Sequence, residues 1–532
     1  VFRPVPRRLS RALSLLFVVA WLAQMGLLVR HAYLRDSAPN LAADLGAYGS
    51  SAAWKGIYYR GEKIGFSVGQ VVPAEDGFEL QEDGRLQMTL LGASTAARLR
   101  TVARVDRSFG LRSFSFTLDP GTGAIEVRGQ VDGRRLALTT GGAAGSRTEV
   151  RELAEPPALS LNLSRRLAAD GLVPGARHVF SMFDPATLSN APLTVEVLGR
   201  DVVRAMRRTI PAFKLRMTFG ALVSTSWVTE TGEVVREESP MGLVVVKESP
   251  DTATALAVPG QVMSDLLEAA AVVPEPARRI ENPDAVQLLR VRLTGFDATG
   301  DDVQGAGQTV QDDVFEVVDA RTLQPSPPDP AASRYLAPEP FIESDAPELV
   351  AEARRVLAGV PGDRARAERL VRHVNALLEK KPTVSLPSAR EVFRTRVGDC
   401  NEHTALYVAL ARAAGLPARV AVGLVHLHGA FYYHAWPEVY VGEGGQGLWL
   451  PVDPTLNQFP ADATHIRLAR GGLDRQARLL GAIGRARMRV LELRLAAGSA
   501  PVLVGRAAVD TRPLDLPLPR RQAGPGSCWD RP

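Results

Sequence analysis

The sequence predicts an α+β protein in three parts: an N-terminal transmembrane helix, a large antiparallel β-rich region and a compact α+β core. An apolar run at residues 12–29 follows a cluster of arginines. Residues 50–257 alternate apolar and polar side chains between recurring turn pairs, the period of two expected of half-buried strands. Between residues 336 and 472 helical periodicity gives way to short apolar runs, with the chemistry-bearing side chains gathered among them.

The first part is read from residues 1–35. Arg3, Arg7, Arg8 and Arg11 precede the apolar run, which is interrupted only by Ser14 and Gln24 and closed by Arg30 and His31. A run of about 18 to 20 residues spans a bilayer as a helix, and the arginine excess places the N-terminus in the cytoplasm. A cleaved signal peptide is the alternative. The run is long for one and no small-x-small site follows Val29 directly, so an uncleaved signal anchor is expected. The expectation is a bacterial, single-pass inner-membrane protein with its bulk in the periplasm.

The second part, residues 50–260, reads as a meander. Phe114, Phe116 and Leu118 alternate with Ser113, Ser115 and Thr117, as Ile64, Phe66 and Val68 do with small or polar neighbours. Asp76-Gly77, Asp83-Gly84, Asp132-Gly133 and Thr231-Gly232 supply the turns. The pattern around residues 56–72 and 227–235 resembles periplasmic half-barrel domains that bind lipidated or apolar ligands. A spacer or substrate-docking platform is the alternative, and a concave face would suit an acyl chain or a peptide strand.

Residues 261–271 read as a helix, Pro274 and Pro276 as a linker, and residues 286–318 as a strand pair in a β extension and linker covering 280–335. Helices are expected at 346–358 and 364–380, the second with Leu370, Val371, Val374, Leu377 and Leu378 on one face. Residues 473–495 read as a basic helix, followed by a Pro-rich tail.

Within the core, Val397-Gly398-Asp399-Cys400-Asn401-Glu402, His434-Ala435-Trp436 and Val452-Asp453-Pro454 place a thiol, an imidazole and a carboxylate in that order. A thiol nucleophile needs a base for its proton and a third group to orient that base. Residues 400–414 carry Leu406, Tyr407, Leu410 and Ala414 at helical spacing before Gly415 and Pro417, so Cys400 falls at a helix N-terminus with Asp399 as N-cap. There the first-turn amides and the dipole favour a thiolate. Residues 418–425 and 434–441 read as strands. The turn at 442–445 and a return strand at 448–453 would bring Asp453 back beside His434. Pro437, lacking an N–H, suggests an edge strand or a bulge.

The segments GDCNEHTALYVALARAAGLPARV, HAWPEVYV and WLPVDPTLNQ resemble the core of the transglutaminase-like superfamily, related in fold to papain-type cysteine peptidases, over residues 336–472. The resemblance implies that Cys400 is the nucleophile, His434 the general base and acid, and Asp453 the orienting carboxylate. It also implies a thioester formed from an amide of a peptide or protein substrate. Water resolving that thioester makes a peptidase or amidase and an amine makes a crosslink; the sequence leaves both open, along with oligomeric state and the second oxyanion donor.

Other classes fit less well. A non-catalytic binding or assembly module would use the β-rich region and a retained core fold. His426, His428 and His434, with His403 and Cys400 nearby, invite a metal site, but no acidic or second Cys ligand has fitting spacing, and residues 429–433 read as a cleft-lining loop. The acidic run at 297–302 lacks the alternating ligands of a calcium loop. Neither cofactor nor metal is expected. The net charge of +5 over 532 residues, four of it from the N-terminal arginines, gives nucleic-acid binding no support. The two cysteines, Cys400 and Cys528, suit an exported enzyme with a free thiol, with reversible capping by Cys528 an open alternative.

Overall fold

The computed structural model describes residues 52–472 apart from 91–92, 221, 240–241, 257–264, 277 and 296–299, together with residues 475, 485–496 and 502–503. From residue 53 these belong to one compact unit.

The dominant feature is a fifteen-stranded sheet in which almost every strand pairs antiparallel with its neighbour in sequence. The meander starts at its centre with Ala53–Tyr59 and steps outward to Gly145–Glu152 at one edge. It resumes at the opposite edge with Pro157–Ala158 and returns to the centre, where Leu243–Glu248 pairs with Ala53–Tyr59. Fifteen flat strands would be roughly 65 Å wide. Yet Glu152 and Pro157, on opposite edges, are joined by a stretch that spans at most about 18 Å. The sheet must therefore roll up until its edges approach each other.

Its inner face is packed by the chain itself. Phe114, Phe116 and Leu118 are buried on the predicted parity, clustered with Val127 and Leu138 of the next strands and with Phe341 and Leu386 from beyond the sheet. In the other half, Leu163 and Leu167 of the helix Ser160–Asp170 pack on Phe180, Val195 and Leu215. Where these clusters lie, the concave surface expected for an acyl chain or peptide is filled by the protein's own side chains. Three of the expected turns are present, but Asp83-Gly84 lies inside the strand Gly77–Leu90.

The strand Val286–Thr294 belongs to a five-stranded sheet with Pro274–Glu275, Gln308–Gln311, Val314–Val318 and Arg487–Leu495. The last of these corrects an expectation. Residues 487–495 were expected within a basic helix, but they form a strand, and the remainder of that expected helix falls largely outside the described residues. RMRVLELRL alternates arginines at 487 and 489 with Met488 and Val490, and after a register shift at Leu491 it alternates Glu492 and Arg494 with Leu493 and Leu495, a period of two on each side of the irregularity in its pairing with Val286–Thr294.

The remaining core packs three helices, Pro347–Val356, Asp363–Leu377 and Cys400–Ala413, against a four-stranded sheet. The strand order is Gln446–Pro451, Ala430–Glu443, Ala418–Leu427, Ile466–Arg470. Leu370, Val371 and Val374 are buried with Leu406, Tyr407, Leu410, Val422 and Leu424 in one cluster that also takes in Leu289, Val291 and Phe315 of the five-stranded sheet. The β extension is therefore part of the wall of the core.

Two parts of the expected fold class are corrected. Among the described residues strand far outweighs helix, so the fold there is mostly β and not α+β. The expected transmembrane helix at residues 12–29 lies outside the described residues, and among the described residues no helix is long and apolar enough to cross a membrane. The helix Asp363–Leu377 has only 15 residues and carries Asp363, Glu368 and several arginines, whereas a span needs about 20 apolar ones. The transmembrane helix, the signal anchor and the single-pass inner-membrane placement are accordingly removed from the description of the fold.

Candidate active site

Cys400 opens the helix Cys400–Ala413, as its sequence position requires. Asp399 is the N-cap: its Oδ1 accepts from the Asn401 amide at 2.9 Å, while its own amide donates to Glu402 Oε2 at 2.8 Å. This reciprocal capping box satisfies amides that would otherwise be orphaned. Glu402 is buried and also accepts from Ser385 Oγ. His403 Nδ1 donates to the Asp399 carbonyl at 2.7 Å. The residues just before the helix are thus tied to Ser385 and, through Leu386, to the rolled sheet.

Gly398 is required by this geometry. A Cβ there would lie 2.2 Å from Glu402 Cβ, an atom that cannot swing away without moving the helix. Gly398→Ala is expected to displace the first turn and lower the alkylation rate of Cys400 by about 10²-fold, the usual cost of misplacing a reacting group by an ångström. Alkylation kinetics on a variant with an unchanged circular dichroism spectrum would check it.

His434 lies in the strand Ala430–Glu443, opposite Gly423 of the neighbouring strand. Residues 430–433, expected as a loop, are part of this strand. Pro437 marks neither an edge nor a bulge, because the strand is interior and pairs with Ala418–Leu427 without a register shift. Pairing with Gln446–Pro451 starts at Glu438, and the Pro437 carbonyl accepts from Val452. Its missing N–H thus faces the place where the neighbouring strand has ended.

The hairpin returns Asp453 to His434, whose Nε2 donates to Asp453 Oδ2 at 2.7 Å. Asp453 is fully buried, and its Oδ1 accepts from the amides of Thr455 and Leu456 at 2.7 and 2.9 Å. Burial alone would raise this carboxyl, but His434 and His465 hold it well below the usual range. On the other side, the Ala435 amide, next in sequence to His434, hydrogen-bonds the Cys400 sulfur and favours its thiolate. The structure therefore brings the Cys400 helix start to the strand at His434 and Ala435, and Asp453 to the far nitrogen of His434.

The thiol departs from expectation in one respect. Burial, and then the charges of Asp399, Glu402 and Asp453, push Cys400 well above its ordinary value, outweighing the Ala435 amide. The helix start alone does not prime it. Lys380, in the short strand Glu379–Lys380 paired with Val397–Gly398, is lowered by burial while Asp453 opposes that shift.

Two groups escaped the sequence reading. His465 lies against Asp453, with Nε2 at 3.1 Å from Oδ2. Nothing in the spacing of Asp453 and His465 announces a contact, because an irregular loop brings them together. Glu438 is fully buried on the His434 strand and binds Arg419 Nε at 2.7 Å, Arg470 Nε at 2.9 Å and Arg467. The histidines weighed for a metal do not converge. His426 Nε2 accepts from the Ile280 amide and His428 sits in a turn with φ of 51°. His434, Asp453 and His465 do converge, with ligand atoms within 4.8 Å of one another, and both imidazoles lie within hydrogen-bond distance of one carboxylate oxygen. Cys528 lies outside the described residues.

Residues 351–454, which include all three expected site residues, match the model of the transglutaminase-like superfamily, and the chain contains a transglutaminase-like domain there. No curated protein matches the chain. Among solved structures, the chain is similar to a protein from Cytophaga hutchinsonii named as a candidate cysteine protease, at 17% identity over 44% of this chain and 83% of that one, with a TM-score of 0.26. A β-barrel-like protein of a domain of unknown function from Brucella abortus is 10% identical over 37% of this chain and 96% of its own, at a TM-score of 0.29. The periplasmic domain of TgpA from Pseudomonas aeruginosa, bound to ethylmercury, is 19% identical over 36% of this chain and 84% of its own, at 0.22. At TM-scores of this size none of the three bears on reaction or substrate.

Proposed function

We propose that the transglutaminase-like domain is a cysteine enzyme that acts on amide bonds of peptide or protein substrates through a thioester. The observation that carries this reading is the His434–Asp453 hydrogen bond, made on the strand whose next amide, that of Ala435, faces the Cys400 sulfur. With Nε2 committed to Asp453, Nδ1 is the nitrogen left to take the thiol proton.

Cys400 gives its proton to His434, and the sulfur adds to the amide carbonyl. As the tetrahedral intermediate collapses, the C–N bond breaks and His434 returns the proton to the departing amine, leaving a thioester on Cys400. Water or a second amine, deprotonated by His434, then adds to the thioester carbonyl and releases the thiol. Water yields a carboxylic acid; an amine yields a new amide. The backbone amide of Cys400 is one oxyanion donor in this reading, worth about 10² to 10³ in rate.

The test incubates the full chain, and its Cys400→Ser variant, with a protein extract and a labelled primary amine. Cys400-dependent new N-termini are the expected result for hydrolysis, and Cys400-dependent label incorporation for amine transfer. Identical profiles from the two chains would overturn the reading.

A further inference from the structure

The carboxylate that orients His434 is shared. The loop after Asp453 closes on itself through two backbone hydrogen bonds between Asp453 and Gln458, and Gln458 Nε2 donates to Asp462 Oδ2 at 2.7 Å. The Thr464 amide and hydroxyl both donate to Asp462 Oδ1, at 2.8 and 2.6 Å. Held this way, the loop delivers His465 between two carboxylates. Its Nδ1 faces the Asp462 carbonyl at 3.1 Å and Asp462 Oδ1 at 3.3 Å, and its Nε2 faces Asp453 Oδ2 at 3.1 Å.

Carbonyl and carboxylate oxygens only accept. Both ring nitrogens of His465 must then carry hydrogen, which makes the ring an imidazolium, 4% exposed and edge-on to Trp436 at 5.1 Å. Burial would strip that charge, but Asp462 and Asp453 outweigh it and raise the group to about 10. Asp453 and Asp462 bring two negative charges into a buried site, and His465 cancels one.

We propose that His465 is a positioning residue, a second donor to Asp453 that is charged at neutral pH and keeps His434 a weaker base and a stronger proton donor than an unshared Asp–His pair would. This rests on the reading of His434 as the proton carrier. A weaker base accepts the thiol proton less completely, but the imidazolium it forms gives that proton up more readily to the departing amine.

The other charges facing this network are fixed by other elements. From the helix start, Asp399 and Glu402 act on Cys400, and His403 feels Asp453 and Asp399. Lys380 faces Asp453 and His403 from its strand. None of them donates a hydrogen bond to the Asp453 oxygen that His434 uses; His465 does.

The test is a nitrogen-15 NMR titration of histidine-labelled full chain, wild type against His465→Gln and Asp462→Asn. His465 should hold both ring protons to above about pH 9 in the wild type. His434 should titrate at a higher pH in His465→Gln than in the wild type, because a positive charge 5.9 Å from its ring is removed. Asp462→Asn removes no ring, so it serves if His465→Gln fails to fold. It should lower the pH at which His465 loses its second proton. In parallel, the alkaline limb of Cys400 alkylation should move up with His434. A neutral His465 at pH 7, or an unchanged His434 titration, would overturn the proposal. If His434→Ala leaves alkylation untouched, the functional reading fails, while the titrations still decide whether His465 tunes His434.

Discussion

Replacing His434 with Ala should abolish most of the reactivity of Cys400 at neutral pH. Burial, Asp399, Glu402 and Asp453 all push the thiol up, against the Ala435 amide. In the proposed reaction the thiolate near pH 7 comes from proton transfer to His434, whose Nε2 is held by Asp453 at 2.7 Å so that Nδ1 is the nitrogen left for the thiol proton. Without that acceptor, alkylation of Cys400 should fall by about 10² at pH 7 and recover only in strong alkali. Amide turnover should fall by about 10² to 10⁴, the usual worth of a positioned acid and base. Rates measured from pH 5 to 10 on both chains decide the matter, and equal profiles would remove His434 from the chemistry.

Glu438→Gln should be the most damaging single change to stability among those that touch no reacting atom. The carboxylate is fully buried and pinned by Arg419, Arg467 and Arg470, themselves largely buried. It joins the His434 strand to its neighbour Ala418–Leu427 and to Ile466–Arg470 one strand further. Neutralising it takes away the buried carboxylate that the three arginines share, a loss of about 3 to 5 kcal/mol. The dependence on pH follows from the direction of the shift. The arginines overcome the cost of burial and depress Glu438 to about 2. Its contribution is then fully present above the ordinary carboxylate range of about 4 to 4.5 and is lost as the pH falls toward 2. Urea unfolding of both chains should show a large gap at pH 7 that narrows below about pH 4, and a gap smaller than about 1 kcal/mol at pH 7 would show the cluster to be dispensable.

Comparing these side chains shows what a sequence makes visible. Cys400, His434 and Asp453 each carry a local signal: a helix start after Asp399, a strand before a Gly-rich turn, and the end of its return strand. A hairpin fixes its own register, so the approach of Asp453 to His434 follows from the turn at residues 442–445. The alternation at Phe114, Phe116 and Leu118 likewise predicted their burial. Residues 487–495 were assigned the wrong period because arginine and leucine suit a helix and a strand face alike. Pairing with Val286–Thr294, some two hundred residues earlier, settled the choice.

By itself, then, the sequence determined the local pieces: the capped helix bearing the thiol, the hairpin bearing imidazole and carboxylate, and the alternating strands of the meander. These depend on interactions within a few residues, which pattern and turn chemistry record. Tertiary structure alone decided that the meander rolls into a single sheet filled by Phe341 and Leu386. It also placed Glu438 under three arginines and His465 on the carboxylate behind His434. Those outcomes join residues through irregular loops or across distant strands. There apolar burial drives the packing and each buried charge must find a partner to offset its desolvation, and no periodicity along the chain encodes which residues meet.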